Sequence, residues 1–347
     1  MSLGRASSTT QDPSQGNSAP GPDAPEPGSS RNQLFQDLVA RYAVLVGFAA
    51  MFAVFWILRP EVFGTTDNVR TIFEQASVVV ILAVGVTVVM TTGEFDLSFP
   101  GLVGVCAVIS VKAMADWGAS PATATAMALV VGLAGGLIAG ALVATKRTSS
   151  FIVTLALNTV WGGLALGLSG NGGSTIVEVA PGYVDIASGE LLGIKLPVFY
   201  AAAIAIVFAV ILRRTVFGRQ ARAIGTNADA ARLSGIPMAR VRIGAFALMG
   251  LCSGAVAVIM TSQLAQYTPG IAAGLFIPPF VAAFFGIAVL ARGSFNIFGS
   301  VVGALFIGTL ETGLIVVGAE AWIGNMVVGA ALLVILFIAA AEARSQT

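Results

Sequence analysis

Apolar runs of nearly membrane-spanning length recur from residue 40 to the end of the chain, and they dictate the solvent in which it folds. A hydrocarbon core about 30 Å thick takes a helix of about 20 apolar residues. Ten such runs can be drawn, at 40–58, 72–91, 98–116, 121–145, 150–168, 197–213, 240–262, 274–291, 297–317 and 322–341. Lipid offers the backbone no hydrogen bonds, so a spanning segment is either a helix or part of a closed barrel. The runs lack the in/out alternation of barrel strands. The chain therefore reads as an all-α integral membrane protein of about ten transmembrane helices. Composition agrees, with 56% hydrophobic and 10% charged residues, against about 25% charged in soluble domains. A formal net charge of +1 speaks against a nucleic-acid partner.

Residues 1–30 are rich in Ser, Pro, Gly and Gln and hold almost no apolar side chain, which predicts a disordered tail, drawn here to residue 35. The membrane-spanning remainder is 36–347. No apolar core of a secretory signal precedes it. Cys106 and Cys252 both fall in apolar runs and read as small buried hydrophobes. With no His and no CxxC spacing, the usual zinc and haem ligand sets are absent.

Arginine and lysine in the short connections set the orientation. Lys146, Arg147, Arg213, Arg214, Arg219, Arg222, Arg232, Arg240, Arg242 and Arg292 all fall on one side of the ten-span scheme, together with Arg31, Arg41 and Arg344 near the two ends. That side is expected to be cytoplasmic, with both termini there. The loops near 60–70, 117–120, 169–196, 263–273 and 318–321 go to the other side, where Arg59, Arg70 and Lys195 are exceptions. Gly136 and Gly140 are one helical turn apart, as are Gly299 and Gly303. This spacing lets helix backbones approach closely, and packing within one subunit outweighs a dedicated dimer face.

The longest polar interruption is "FGRQARAIGTNADAARLSGIPMARVRI" at 217–243, overlapping a connecting loop drawn at 214–239. Thr226-Asn227-Ala228-Asp229 matches the [ST]-x-x-[DE] helix start, Gly235 offers a left-handed stop and Pro237 forbids continuation. The short helix between them is too short to stand alone in water, so it either lies on its own bundle or fits a partner. A solvated loop whose arginines merely fix topology is the simpler alternative.

"GRQARAIGTNADAARLSGI" closely resembles the cytoplasmic loop of permease subunits in the bacterial ribose-type (monosaccharide) ABC importer family. "GEFDLSFPGLVG" at 93–104, "SSFIVTLAL" at 149–157 and "FGSVVGALFIGTLETGLIVVG" at 298–318 extend the resemblance over roughly residues 75–340. The resemblance implies a type II importer-like bundle, paired with a second permease copy, driven by an ABC ATP-binding subunit and fed by an extracytoplasmic binding protein. It makes Arg219, Arg222, Gly225, Asn227, Asp229, Ala230, Ala231, Arg232, Ser234 and Gly235 the expected coupling residues, with the short helix seated in a groove of the ATPase. This chain has no GxxxxGK[ST] run. ATP and Mg are thus expected on the partner, with no cofactor and no catalytic residue in this chain.

An ionisable side chain inside a span is costly and is by default a candidate for the transport path. Glu311 is the clearest instance, read either as a hydrogen-bond acceptor for a hydroxylated solute or as a carboxyl that locks helices together. Glu94, Asp96 and Ser98 precede Pro100. Asp96 or Ser98 capping a helix start is the leading reading, and a gate element drawn deeper into the bundle is the alternative. Glu94 and Phe95 stand where the family has Gly and Ile. Asn158 can bond another helix or a sugar-like ligand, and Phe276 lies in a stretch more aromatic than the family's. The expected cargo is a monosaccharide or polyol crossing a bacterial plasma membrane. The rival reading is an ion-coupled secondary transporter acting without an ATPase, using Glu311 and Asp96. An intramembrane enzyme fits least, with no HExxH and no GxSxG present.

Overall fold

The computed structural model describes residues 46–145, 149–170, 175–176, 180, 182–290 and 295–345. The expected tail at 1–35, and Arg31, Arg41, Lys146, Arg147 and Arg292, lie outside the described residues. Each of the ten apolar runs carries a helix: α1 (Val46–Leu58), α3 (Thr66–Thr91), α4 (Phe99–Trp117), α5 (Pro121–Thr145), α6 (Ser150–Leu168), α8 (Leu196–Arg214), α11 (Met238–Leu264), α12 (Pro278–Leu290), α13 (Ile297–Val316) and α14 (Ala321–Ser345). Seven of them are long and apolar enough to cross a membrane, and α1, α12 and the apolar part of α14 are shorter. Between them lie α2 (Pro60–Phe63), α7 (Asp185–Ser188), α9 (Val216–Thr226) and α10 (Ala228–Leu233). Two-residue strands β1 (Thr175–Ile176), β2 (Glu190–Leu191), β3 (Ile194–Lys195) and β4 (Gln266–Tyr267) form two small antiparallel pairs, β1 with β4 and β2 with β3.

α3 is the central helix, buried without a break from Ala76 to Thr91, as an all-round apolar helix must be. It starts six residues before the expected 72 because Thr65 accepts the Asn68 N–H at 3.2 Å and extends the helix through a polar first turn. α11, α13, α12 and α8 pack around it. α6 and α8 leave much of their apolar surface outside the bundle, including Phe151, Ile152, Leu155, Ile206 and Val207.

Small residues bring α5 and α11 into backbone contact. A Cβ on Gly132 or Gly136 would collide with the carbonyl oxygens of Gly250 or Phe246. Gly140 packs on Ile243 and Phe246 of the same helix, while Gly299 and Gly303 pack on Gly286 and Ala282 of α12. All four sequence-noted glycines thus serve packing within the subunit.

The loops sort to two ends as the charge pattern requires. Pairing of Thr175 with Tyr267 joins the 169–196 and 263–273 connections. The Arg70 guanidinium lies beside Gly193, adding the 60–70 connection to the same end. At this end Tyr183, fully buried, puts its hydroxyl 2.7 Å from Thr261 Oγ1 and donates to Ser110 Oγ at 3.2 Å. The Ser262 hydroxyl donates to Tyr183 O at 2.6 Å and accepts the Ala187 N–H at 3.0 Å. The 182–188 loop is thereby stitched into α4 and α11.

Gly250→Leu forces the α5 and α11 backbones apart, and overpacking of this kind costs about 3 kcal/mol. Its melting temperature in detergent should fall well below that of Gly274→Ala, at a position with open space around it.

Candidate functional site

Two features at opposite ends of α3 carry the candidate chemistry. At the arginine-rich end, α8 stops at Thr215, whose hydroxyl accepts the Gly218 N–H at 3.3 Å and starts α9. Phe217, Ala221 and Ile224 recur at helical spacing on one side of α9. Ala221 and Ile224 join Ala231 and Val241 in a small separate core, with Phe217, Ile236 and Met238 packed on it. The sequence reading missed α9 as an element of its own. Its signal was present in Thr215 and in the 217, 221, 224 spacing, masked by the arginines between them.

The start of α10 is capped by Asn227, not by Thr226 as the four-residue pattern predicts. Asn227 Oδ1 accepts the Ala230 N–H at 3.0 Å, whereas Thr226 ends α9 and donates its hydroxyl to Arg222 O at 2.9 Å. Asn227 is extended (φ −156°, ψ 101°), as a cap must be. Gly235 (φ +75°) ends α10 as expected, with Ile236 N–H reaching Ala231 O at 3.1 Å.

The coupling residues divide between two faces. Ala231 is buried in the small core. Gly225 abuts the end of α3, where a Cβ would collide with Thr91 O, and it lies against Gly93. Arg222 turns back to donate to Gly218 O at 3.3 Å and to Leu212 O, closing the end of α8. Of these three only Ala231 is buried; Arg222 and Gly225 touch their own bundle and remain exposed. Arg219, Asn227, Asp229, Ala230, Arg232, Ser234 and Gly235 are exposed. So is Leu233, at 90%, which the sequence-based set omitted.

The segment after α3 solves a problem of its own. Residues 92–98 are irregular, yet Asp96, Leu97 and Ser98 are buried. The backbone donors of Phe95, Leu97 and Gly101 are met from α6, where Ser150, Thr154 and Asn158 stand at successive four-residue steps on one face. Ser150 Oγ accepts the Phe95 N–H at 3.0 Å, Thr154 Oγ1 the Leu97 N–H at 3.0 Å, and Asn158 Oδ1 the Gly101 N–H at 2.8 Å. The ladder follows α6 for about 12 Å. Asp96 Oδ1 accepts both the Ser98 N–H at 2.8 Å and the Ser98 hydroxyl at 2.6 Å. Ser98 itself makes no side-chain cap bond to α4. Asn158 is therefore an interhelical tie that caps α4 from outside. Glu94 lies 2.8 Å from Arg242 Nε of α11, an ion pair without the alignment of a hydrogen bond.

The opposite end of the bundle holds a cleft of about 530 Å³ lined by Thr71, Glu74, Gln75, Val78 and Val79 of α3, Val184, Ala187, Ser188, Lys195, Met260, Ser262, Gln263, Leu275 and Glu311. Gln75 lies about 24 Å along α3 from Thr91. Of the six expected path residues, Glu311 lines this cleft. Phe276 sits next to the lining Leu275 and packs on the core. Glu94, Asp96, Ser98 and Asn158 lie toward the arginine-rich end. Glu74, Gln75 and Lys195 had no signal in the sequence as lining residues, because their meeting with Glu311 depends on how α3, β3 and α13 pack.

A multi-pass bundle with a capped polar hairpin at one end and a polar cleft at the other is the arrangement of a membrane permease. The model of a family described as "Branched-chain amino acid transport system / permease component" matches residues 68–336, and the chain belongs to that family. The L-arabinose ABC transporter permease protein AraH of Azospirillum brasilense is 30% identical over 324 residues, covering 91% of this chain and 92% of that protein. The D-allose transport system permease protein AlsC of Escherichia coli K12 is 29% identical, covering 85% and 89%. The autoinducer 2 import system permease protein LsrD of Salmonella typhimurium LT2 is 31% identical, covering 74% and 78%.

Thr154→Val keeps the shape of the side chain but orphans the Leu97 N–H, a loss of about 1–3 kcal/mol. Denaturation in detergent should place it below Thr159→Val, whose hydroxyl bonds only its own helix.

Proposed function

We propose that this chain is the translocation subunit of an ATP-driven importer that carries a monosaccharide or similar polyol across a bacterial plasma membrane. Both termini are cytoplasmic in this reading. The observation that carries it is the α9–α10 hairpin, which one face fixes to its own bundle while the other presents Arg219, Arg232 and Leu233 at the end opposite the cleft. A short helix braced in this way can receive a push without unfolding. Its partner is an ABC ATP-binding subunit that holds ATP and Mg, since this chain carries no phosphate-binding loop. A second permease copy and an extracytoplasmic binding protein complete the assembly, and nucleotide-driven movement of the hairpin switches access of the path from outside to inside.

The names of the relatives point to sugars and to autoinducer 2, and the cleft suits such a cargo. Glu74, Gln75, Gln263, Glu311, Thr71 and Ser188 supply acceptors and donors for hydroxyl groups. Val78, Val79, Met260 and Leu275 supply apolar surface for C–H faces. The family description mentions branched-chain amino acids, whose carboxylate would need Lys195. Thermal-shift screening of the cognate binding protein separates the two, because a response to pentoses or hexoses upholds the polyol reading and a response confined to hydrophobic amino acids overturns it. Uptake of radiolabelled L-arabinose and D-allose by vesicles holding the whole complex should require ATP. Uptake driven by an ion gradient in the permease alone would establish the secondary-transporter reading, which membership in a family of transport-system components disfavours.

Leu233→Asp changes a side chain with almost no contacts, so the fold should be unaffected. We expect ATP-driven uptake to fall by about tenfold or more, as at an interface hot spot, with less ATPase subunit recovered on purification. Glu311→Ala removes one polar contact in the cleft and should raise the apparent KM about tenfold, with ATPase recovery unchanged.

A further inference from the structure

The Glu94 carboxylate meets Arg242 in the second turn of α11. The two side chains are 14% and 22% exposed. Among the described residues the other ion pairs, Arg70–Asp67 and Lys112–Asp116, are local to one helix, so this is the pair that joins separate elements. Its two ends are rooted differently. Arg242 follows Val241, which belongs to the small core shared by α9 and α10. Glu94 follows Gly93, a left-handed residue (φ +78°) against Gly225. It lies within the irregular 92–98 stretch, just before the residues that hang on the side chains of Ser150, Thr154 and Asn158. A stretch held by side-chain acceptors rather than by a helical ladder can shift by exchanging partners, while the hairpin core moves as a unit.

We propose that the Glu94–Arg242 pair is a positioning tie that carries movement of the α9–α10 hairpin into the irregular 92–98 stretch at the head of α4, and so sets how tightly solute movement follows ATP hydrolysis. The inference rests on the reading of the hairpin as the ATPase-coupling element. A partly buried pair suits the role because losing one partner leaves a charge that neither protein nor water fully compensates. The joined state is therefore held in one geometry, and breaking it requires a movement that admits water.

The test uses the full complex in vesicles, with a radiolabelled mixture of L-arabinose and D-allose as probe and solute uptake per ATP hydrolysed as the readout. Glu94→Gln and Arg242→Gln should each lower this ratio by about tenfold, within the range of couplings between residues in contact. ATPase binding and hydrolysis should persist. The exchanged pair, Glu94→Arg with Arg242→Glu, should recover most of the ratio. A wild-type ratio in Glu94→Gln overturns the inference, and so does an exchanged pair as uncoupled as the single variants. If uptake and hydrolysis fall together in proportion to folded protein, the pair is a structural contact and the inference fails. Absence of ATP-driven uptake in the wild-type complex would strike the coupling reading itself, a different outcome from a lowered ratio.

Discussion

Hydrogen bonding of the backbone in a medium that supplies none is the constraint on which this architecture depends. Helices meet it internally, and the chain is helical wherever its apolar runs cross. The 92–98 stretch is the instructive exception. It leaves the helical pattern between α3 and α4, and it survives buried against α6 because Ser150, Thr154 and Asn158 present three acceptors at the spacing of one helix face. Those acceptors fix where α4 starts and hold the stretch beside the arginine-rich end.

The hairpin of α9 and α10 shows how a short water-exposed element can be made rigid. Neither helix has the length to be stable alone. Caps at Thr215 and Asn227, a left-handed stop at Gly235 and the shared core of Ala221, Ile224, Ala231 and Val241 supply what length does not. Gly225 then sets the hairpin against Thr91 and Gly93 with no side chain between the backbones. From Thr91 the buried shaft of α3 runs to the cleft, so a displacement at one end meets little compliance before it reaches the other.

The cleft end is organised by different means. Tyr183, Thr261, Ser110 and Ser262 bond an outer loop into the bundle, and two short strand pairs join loops that are far apart in the sequence. Polar side chains from α3, β3, α11 and α13 meet there because the loop is held, and Glu311 gains the company of Glu74, Gln75 and Lys195. No one segment carries the site, which is why inspection of single segments singled out Glu311 alone among these four.

The ten helices, their all-α class and the sorting of loops to two ends were legible from hydropathy and charge, since partition between lipid and water acts on each segment independently. Gly235 and the existence of a short capped helix were legible too, being local backbone chemistry. Asn227 displaced Thr226 as the cap because α9 runs one residue further than the pattern implied and leaves the first extended residue at 227. The pairing of Glu94 with Arg242, the service of Asn158 to Gly101 and the lining of the cleft belong to tertiary structure. Each joins side chains from elements distant in sequence, and no local propensity encodes which faces of two helices come to meet.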